Sequence, residues 1–105
     1  MATTTKALFR GAATTTTTTV LYTVPSATTS VVSNIVVSNT AGSAGTFTLG
    51  MGTAGANTSL ATTVAIPANS IVTLDLKQVL ATTNTITGGA SATTINFHIS
   101  GVEIA

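Results

Sequence analysis

The sequence predicts an all-β protein that folds as a single antiparallel β-sandwich of about eight short strands. Threonine supplies 26 of the 105 residues, and with valine and isoleucine it gives a β-branched background that favours strands over helices. Short apolar/polar alternations recur between glycine, proline and asparagine turn signals at intervals of roughly 8 to 12 residues, as in sandwiches. A jelly-roll and an immunoglobulin-like topology both fit this pattern. Residues 1–105 are the size of one domain.

The predicted strands begin and end at recognisable signals. They cover residues 3–10, 17–24, 30–39, 46–51, 60–66, 69–77, 83–87 and 93–104. The first strand ends at Gly11. The second and fifth end at Pro25 and Pro67, because proline has no amide donor for a ladder. The third carries apolar residues on both faces, which is typical of a central strand or of one with a bulge.

The two-residue side-chain period of a strand assigns the core-facing positions. The alternating apolar side chains are Ala7, Phe9, Val20, Tyr22, Val24, Phe47, Leu49, Met51, Leu60, Val64, Ile66, Val72, Leu74, Leu76, Ile95, Phe97 and Ile99. The sixth strand shows the pattern most clearly, because Asp75 and Lys77 alternate with its apolar residues. We therefore expect those two charged side chains on the outer surface.

Three connecting features are also predicted. Residues 50–58 and 88–92 are expected to be loops, and residues 78–81 a single helical turn. In the last strand the apolar phase shifts by one residue after Gly101, and a phase slip at a glycine predicts a β-bulge. This bulge would turn Glu103 outward.

The charge content is unusually low and excludes several classes of partner. Only 5% of the residues are charged and the net charge is +1, against roughly 25% charged residues in ordinary soluble domains. Three basic residues cannot make the roughly six to ten phosphate contacts of a DNA-binding protein, so no nucleic-acid partner is expected. No apolar run approaches the roughly 18 residues that span a membrane. The first ten residues lack the apolar stretch of a signal peptide, so we expect synthesis in the cytosol and no membrane partner.

No catalytic, cofactor-binding or metal-binding residues are predicted, and we do not expect an enzyme. The chain has no cysteine and one histidine, His98, and a general base needs an orienting partner. The two carboxylates, Asp75 and Glu103, lie on different strands. The charged residues and the histidine are instead candidate interface residues: Lys6, Arg10, Asp75, Lys77, His98 and Glu103.

Several segments resemble small β-sandwich virion proteins of tailed bacteriophages. They are Leu21-Tyr-Thr-Val-Pro25, Val31-Val-Ser-Asn-Ile-Val-Val-Ser-Asn39, Ile66-Pro-Ala-Asn-Ser70, Leu74-Asp-Leu-Lys-Gln-Val-Leu80 and His98-Ile-Ser-Gly-Val-Glu-Ile104. The resemblance covers roughly residues 7–104. Proteins of this kind serve as capsid decoration (cement) subunits and in tail or fibre assemblies, and the resemblance does not choose between these roles.

The resemblance implies a virion structural protein, and we favour a capsid decoration protein that stabilises the head. We expect a homo-oligomer, preferably a trimer, that contacts the major capsid protein or other virion proteins. Residues 1–13 are predicted to form an arm or a strand exchanged with a neighbour, because an exposed sheet edge invites strand addition. The alternatives are a tail or fibre component and, from another class, a carbohydrate- or host-surface-binding module.

Overall fold

The computed structural model describes residues 2–105, and eight strands make up most of this range. They are β1 (Thr3–Ala12), β2 (Val20–Thr23), β3 (Thr29–Asn39), β4 (Gly45–Thr53), β5 (Ala56–Ile66), β6 (Ser70–Leu80), β7 (Thr85–Ala90) and β8 (Ile95–Ile104). Sheet I has the strand order β1-β8-β3-β6, and sheet II has the order β2-β7-β4-β5. Within residues 2–105 there is no helix long and apolar enough to cross a membrane.

The strand pairing is that of a jelly roll. The chain pairs β1 with β8, β2 with β7, β3 with β6 and β4 with β5, all antiparallel. It therefore runs as one long hairpin, rolled so that β3 also meets β8 and β4 also meets β7. Eight strands in two such sheets define a jelly roll. The predicted antiparallel sandwich is confirmed, and its topology is the first of the two alternatives.

The core lies between the two sheets and follows the predicted alternation in the central strands. Phe47 of sheet II and Phe97 of sheet I meet edge to face, with ring centroids 6.3 Å apart and an interplanar angle of 74°, a favoured aromatic geometry. The largest fully buried side chains are Phe47, Phe97, Ile35, Leu49, Ile66, Ile86, Ile95, Ile99, Val24, Val32 and Val37. The sixth strand contributes Val72, Leu74 and Leu76 to the rim of this core, as predicted.

The predicted phase of the first two strands is partly wrong. Leu8 is buried and Ala7 is exposed, because the register of β1 shifts between Ala7 and Phe9. Leu8 is the extra residue and packs inward beside Phe9. In β2, Tyr22 is buried but Val20 is 55% exposed, since a second register shift separates them. Bulges break the two-residue period on which the prediction depended.

Three predicted connections are strand instead. Residues 78–80 continue β6, and residues 88–90 belong to β7. Gly88 and Gly89 are buried there because other parts of the chain pass over them: a Cβ on Gly89 would clash with the backbone carbonyl of Thr16. The predicted loop at 50–58 is a β4–β5 hairpin with Gly55 at its tip, where a φ of 80° favours glycine.

The bulge predicted at Gly101 is wrong, because β8 itself is regular. The extra residues lie in its two neighbours, one at Leu8 of β1 and one at Ser33 of β3. Gly101 is buried between these strands, where a Cβ would meet the backbone of Val31 and lie 2.8 Å from Leu8 Cδ1. Glu103 consequently shares the inward phase of Ile99 and Gly101, and the predicted outward orientation of Glu103 is also wrong.

Candidate interaction surface

The outer face of sheet I carries four of the six candidate residues. Strand register places Arg10 of β1 beside His98 of β8, and His98 beside Val36 of β3. Asp75 of β6 lies in the next row of the same face. Lys77 follows it with the same outward phase. The four residues are Arg10, His98, Asp75 and Lys77.

This face does not bring the four residues into one site. Arg10 and His98 are direct neighbours near the β1 edge, whereas Asp75 and Lys77 lie on β6 at the opposite edge. Three strand spacings separate the two edges, or about 14 Å. His98 therefore has no carboxylate of this face beside it that would orient it as a general base.

The rest of the outer face is a mixture of apolar and small polar side chains. One transverse row joins Thr5, Val102, Val31 and Val79. Val79 is 68% exposed and Ile71 at the other end of β6 is 66% exposed. These are the two most exposed large apolar side chains of the described residues, and both flank the Asp75–Lys77 pair on one edge strand.

The other two candidates, Lys6 and Glu103, form a cluster that joins the sheets at one end of the sandwich. The Tyr22 hydroxyl, on sheet II, donates to Glu103 Oε2 at 2.5 Å. Its oxygen is 2.7 Å from Ser30 Oγ of β3. Lys6 Nζ lies 3.3 Å from Glu103 Oε2. We refer to Lys6, Tyr22, Ser30 and Glu103 as the Tyr22–Glu103 cluster.

The contacts within the cluster keep Tyr22 protonated and Glu103 ionised. Burial and, second, the hydrogen bond to Glu103 together raise the pKa of Tyr22 to about 12. The hydrogen bond from Tyr22 lowers the pKa of Glu103. Burial acts in the opposite direction, and the hydrogen bond and charge of Lys6 add a smaller lowering. At neutral pH the phenol is neutral and the carboxylate is charged. A phenol with a raised pKa releases its proton less readily and is not present as the phenolate base at neutral pH, so the arrangement is suited to linking two sheets.

Sequence reasoning missed this cluster although one signal for it was present. Glu103 continues the alternation of Ile95, Phe97 and Ile99 if β8 is read without a bulge. An inward carboxylate needs a donor, and the chain has one tyrosine, at an inward position of β2. The pairing of β1 with β8 then brings Lys6 close to the same carboxylate.

A groove on sheet II carries no charged side chain among its lining residues. Its volume is about 580 Å³, and it runs between the threonine segment before β2 and the β4–β5 hairpin. The Asn57 amide lies 2.8 Å from Thr87 Oγ1 and 3.0 Å from Thr85 Oγ1. These polar groups therefore bind one another across the groove floor.

Two kinds of chemistry lack their usual residues in the described part of the chain. Within residues 2–105, no three His, Cys, Asp or Glu side chains come together as metal ligands. None of the four aromatic rings is fully exposed: Tyr22, Phe47 and Phe97 are buried, and Phe9 is half-buried. No ring of residues 2–105 stands free as a platform for stacking a sugar.

The fold is similar to that of chains in virus structures. A chain in the structure of infectious bursal disease virus strain Gx matches with a TM-score of 0.56 and 12% identity, over 97% of this chain and 30% of that one. A chain of the T13 IBDV viral particle matches with a TM-score of 0.56 and 9% identity, over the same shares. The tobacco streak virus coat protein matches with a TM-score of 0.45 and 14% identity, over 99% of this chain and 83% of that one.

The two matches with a TM-score of 0.56 agree with the jelly-roll fold. The chain spans less than a third of the length of the two infectious bursal disease virus chains. No protein-family model matches the sequence, and no curated protein matches it.

Proposed function

We propose that this chain is a structural subunit of a virus particle and acts by binding copies of itself and other particle proteins, without catalysis. The observation that carries this proposal is the jelly roll, which is similar over 97% of the chain to chains in structures of a virus. Jelly rolls also serve lectins and cupins. The weakly charged surface favours a particle subunit over these alternatives.

The surface suits extensive contact between proteins. Burying a charge is costly unless it is paired, and only five of the 105 residues are charged. Two of these five, Lys6 and Glu103, already pair within the chain. The remaining surface of threonine, serine, alanine and asparagine can be buried against a neighbour at little electrostatic cost.

Within this class we favour a capsid decoration protein of a tailed bacteriophage, located in the virion. The resemblance of residues 7–104 to such proteins supports this assignment. Copies would associate as trimers over junctions of the major capsid protein, and each contact would stabilise the assembled shell by mass action. Strand β1 pairs with β8 of its own chain and has one open edge. We propose that residues 1–13 use this edge, or exchange it, in contact with a neighbour.

The test is binding to shells that lack this protein. Purified chain is mixed with such shells and sedimented, and the shells are then heated with and without it. We expect saturable co-sedimentation at a fixed number of copies per shell and a higher disruption temperature. A chain that stays in the supernatant at all concentrations would refute the decoration role. Light scattering on the isolated chain distinguishes a trimer from other oligomers.

The alternative within the class is a tail or fibre component. Antibody labelling of intact particles in the electron microscope separates the two roles, since decoration predicts label over the head and a tail component predicts label at one vertex or along the tail.

A carbohydrate-binding module is the alternative from another class, and the groove on sheet II is the observation that favours it. Its volume falls within the range of small-ligand sites, and its lining includes Asn57 and several threonines. However, Asn57 is occupied by Thr85 and Thr87, and Tyr22, the one aromatic ring with a hydroxyl, is buried. We expect no glycan binding on an array, and a specific hit abolished by Asn57→Ala would reverse this ranking.

A further inference from the structure

Strand β6 is an open sheet edge that carries its own pairing signal. Its eleven residues, Ser70–Leu80, form the outer edge of sheet I, and β3 is its neighbour there among the described residues. A long edge strand presents a row of backbone donors and acceptors to another strand. The register of β6 against β3 shifts between Asp75 and Gln78, while the side chains of β6 keep alternating from Ser70 to Lys77. The apolar side chains of Ile71 and Val79 are exposed near its two ends.

The two charged residues of β6 are spaced for self-recognition. Asp75 and Lys77 are exposed, lie two residues apart and share the outward phase. Within residues 2–105 neither makes an ion pair. If two β6 strands pair antiparallel about Leu76, Asp75 of each copy lies directly opposite Lys77 of the other. Opposite charges at such cross-strand positions stabilise a sheet, and their Cβ atoms lie about 5 Å apart.

The same spacing rejects the neighbouring registers. A shift of two residues in one direction places Asp75 opposite Asp75 of the second copy, and a shift in the other direction places Lys77 opposite Lys77. Like charges directly opposite each other are destabilising. A shift of one residue would set outward side chains of one copy against inward side chains of the other. The charges therefore favour the register centred on Leu76.

The other three edges lack this complementarity. The charged residues of β1, Lys6 and Arg10, have the same sign, so two β1 edges paired about their midpoint would place positive charges opposite each other. Strand β2 has four residues. Strand β5 has no charged residue to select a register.

We propose that a second copy of this chain adds to β6, antiparallel and centred on Leu76, with two interchain Asp75–Lys77 pairs. The two copies of sheet I then form one continuous eight-stranded sheet about a twofold axis. Such a contact is isologous, because each copy supplies the same surface. This inference goes beyond the proposed function and does not depend on a shell. It is compatible with a threefold contact elsewhere on the surface.

Charge exchange tests the ion pairs. Sedimentation velocity over a concentration series measures self-association of the wild type, Asp75→Lys, Lys77→Asp and the double variant carrying both changes. Each single change places like charges opposite at both pairs, and we expect dimer dissociation constants at least about tenfold weaker than wild type. The double variant restores both pairs and is expected to return to wild-type affinity. Arg10→Glu is the matched control, an exposed charge reversal on another edge that should leave the dimer unchanged.

A cysteine scan tests the register. The chain has no cysteine, so one introduced thiol gives an unambiguous crosslink. Leu76→Cys places its thiol opposite its own copy, within the distance range of a disulfide, and mild oxidation should give a covalent dimer. Thr73→Cys is the control. In the proposed register its two thiols lie six residues apart along the strands, about 20 Å, so this variant should form no covalent dimer under the same conditions.

Two results would overturn the inference. Single charge reversals that leave self-association unchanged would remove Asp75 and Lys77 from the contact. A double variant no tighter than the single variants would show that the two charges do not face each other. The charge series still decides if Leu76→Cys, which alters a half-buried position, fails to fold. Shell binding is scored separately, so a chain that dimerises as described but ignores shells would refute the proposed function alone.

Discussion

The ionisation of Tyr22 is the sharpest test of the link between the two sheets. The folded protein favours the neutral phenol, because burial and the carboxylate of Glu103 both oppose a negative charge on the Tyr22 oxygen. In the unfolded chain the phenol loses its proton near its ordinary pKa of 10.0. The unfolded state therefore releases its proton first as the pH rises. The resulting stabilisation is fully present below pH 10 and is lost between pH 10 and about 12.

The size of this effect follows from the shift of the pKa. Raising the pKa from 10.0 to about 12 corresponds to about 2.8 kcal/mol at about 1.4 kcal/mol per pKa unit. Tyr22 is 8% exposed, so solvent screening reduces this figure little. Tyr22→Phe removes the hydroxyl and with it the titration. It also removes a hydrogen bond to a charged group, which costs about 2 kcal/mol at neutral pH.

The assay uses the absorbance of tyrosinate in the near ultraviolet. The chain has one tyrosine and no tryptophan, so the signal belongs to Tyr22 alone, and far-ultraviolet circular dichroism monitors folding in the same samples. We expect half-ionisation near pH 12, or together with unfolding if unfolding comes first. The stability difference between wild type and Tyr22→Phe should shrink above pH 10. Half-ionisation near pH 10 in a protein that is still folded would refute the cluster.

Three further predictions concern Glu103, Gly89 and Thr63. The pKa of Glu103 is lowered from its ordinary value of 4.5. The stability that the ionised carboxylate contributes is therefore present above pH 4.5 and is lost as the pH falls below it. Chemical denaturation should show a smaller loss of unfolding free energy on acidification for Glu103→Gln than for wild type. Gly89→Ala should destabilise the fold by about 2–3 kcal/mol in the same assay, because the added Cβ would clash with the backbone of Thr16. Thr63 has a φ of 50°, which disfavours a β-branched residue. Thr63→Asn should therefore increase the free energy of unfolding by about 0.5–1 kcal/mol, seen as a higher thermal midpoint.

Matched controls accompany the Gly89 and Thr63 variants. Gly42→Ala adds a Cβ where no atom lies within 4 Å and should be close to neutral. Thr62→Asn introduces the same residue at a neighbouring position without a positive φ, so a gain there equal to that at Thr63 would contradict the explanation by backbone strain.

The alternation of apolar residues was sufficient to predict strands whose own side chains keep the two-residue period, even where the register against a neighbour shifts. Strand β6 has the predicted inward row because its side chains alternate without interruption from Ile71 to Lys77. Strand β3 is central and carries a register shift between Val32 and Asn34, in agreement with its apolar residues on both faces. Here the local pattern and the tertiary environment impose the same arrangement.

The prediction failed where contacts distant in sequence decide the local structure. Gly88 and Gly89 look like a turn, but they are strand residues that other segments press against. The bulges that flank Gly101 lie in β1 and β3, so β8 alone could not reveal them. The Tyr22–Glu103 cluster joins residues 81 positions apart, and its recognition required the pairing of β1, β3 and β8.

The place of β8 within sheet I has a consequence for folding. This strand lies between β1 and β3, and the register joins Thr3 to Ile104. During synthesis, β1 has no partner in its sheet until the last strand has left the ribosome. Topologies dominated by such distant pairings fold slowly, on a scale of milliseconds to seconds. The nascent chain therefore exposes the unpaired edges of β1 and β3 until β8 inserts between them, and association between copies competes with folding at that stage.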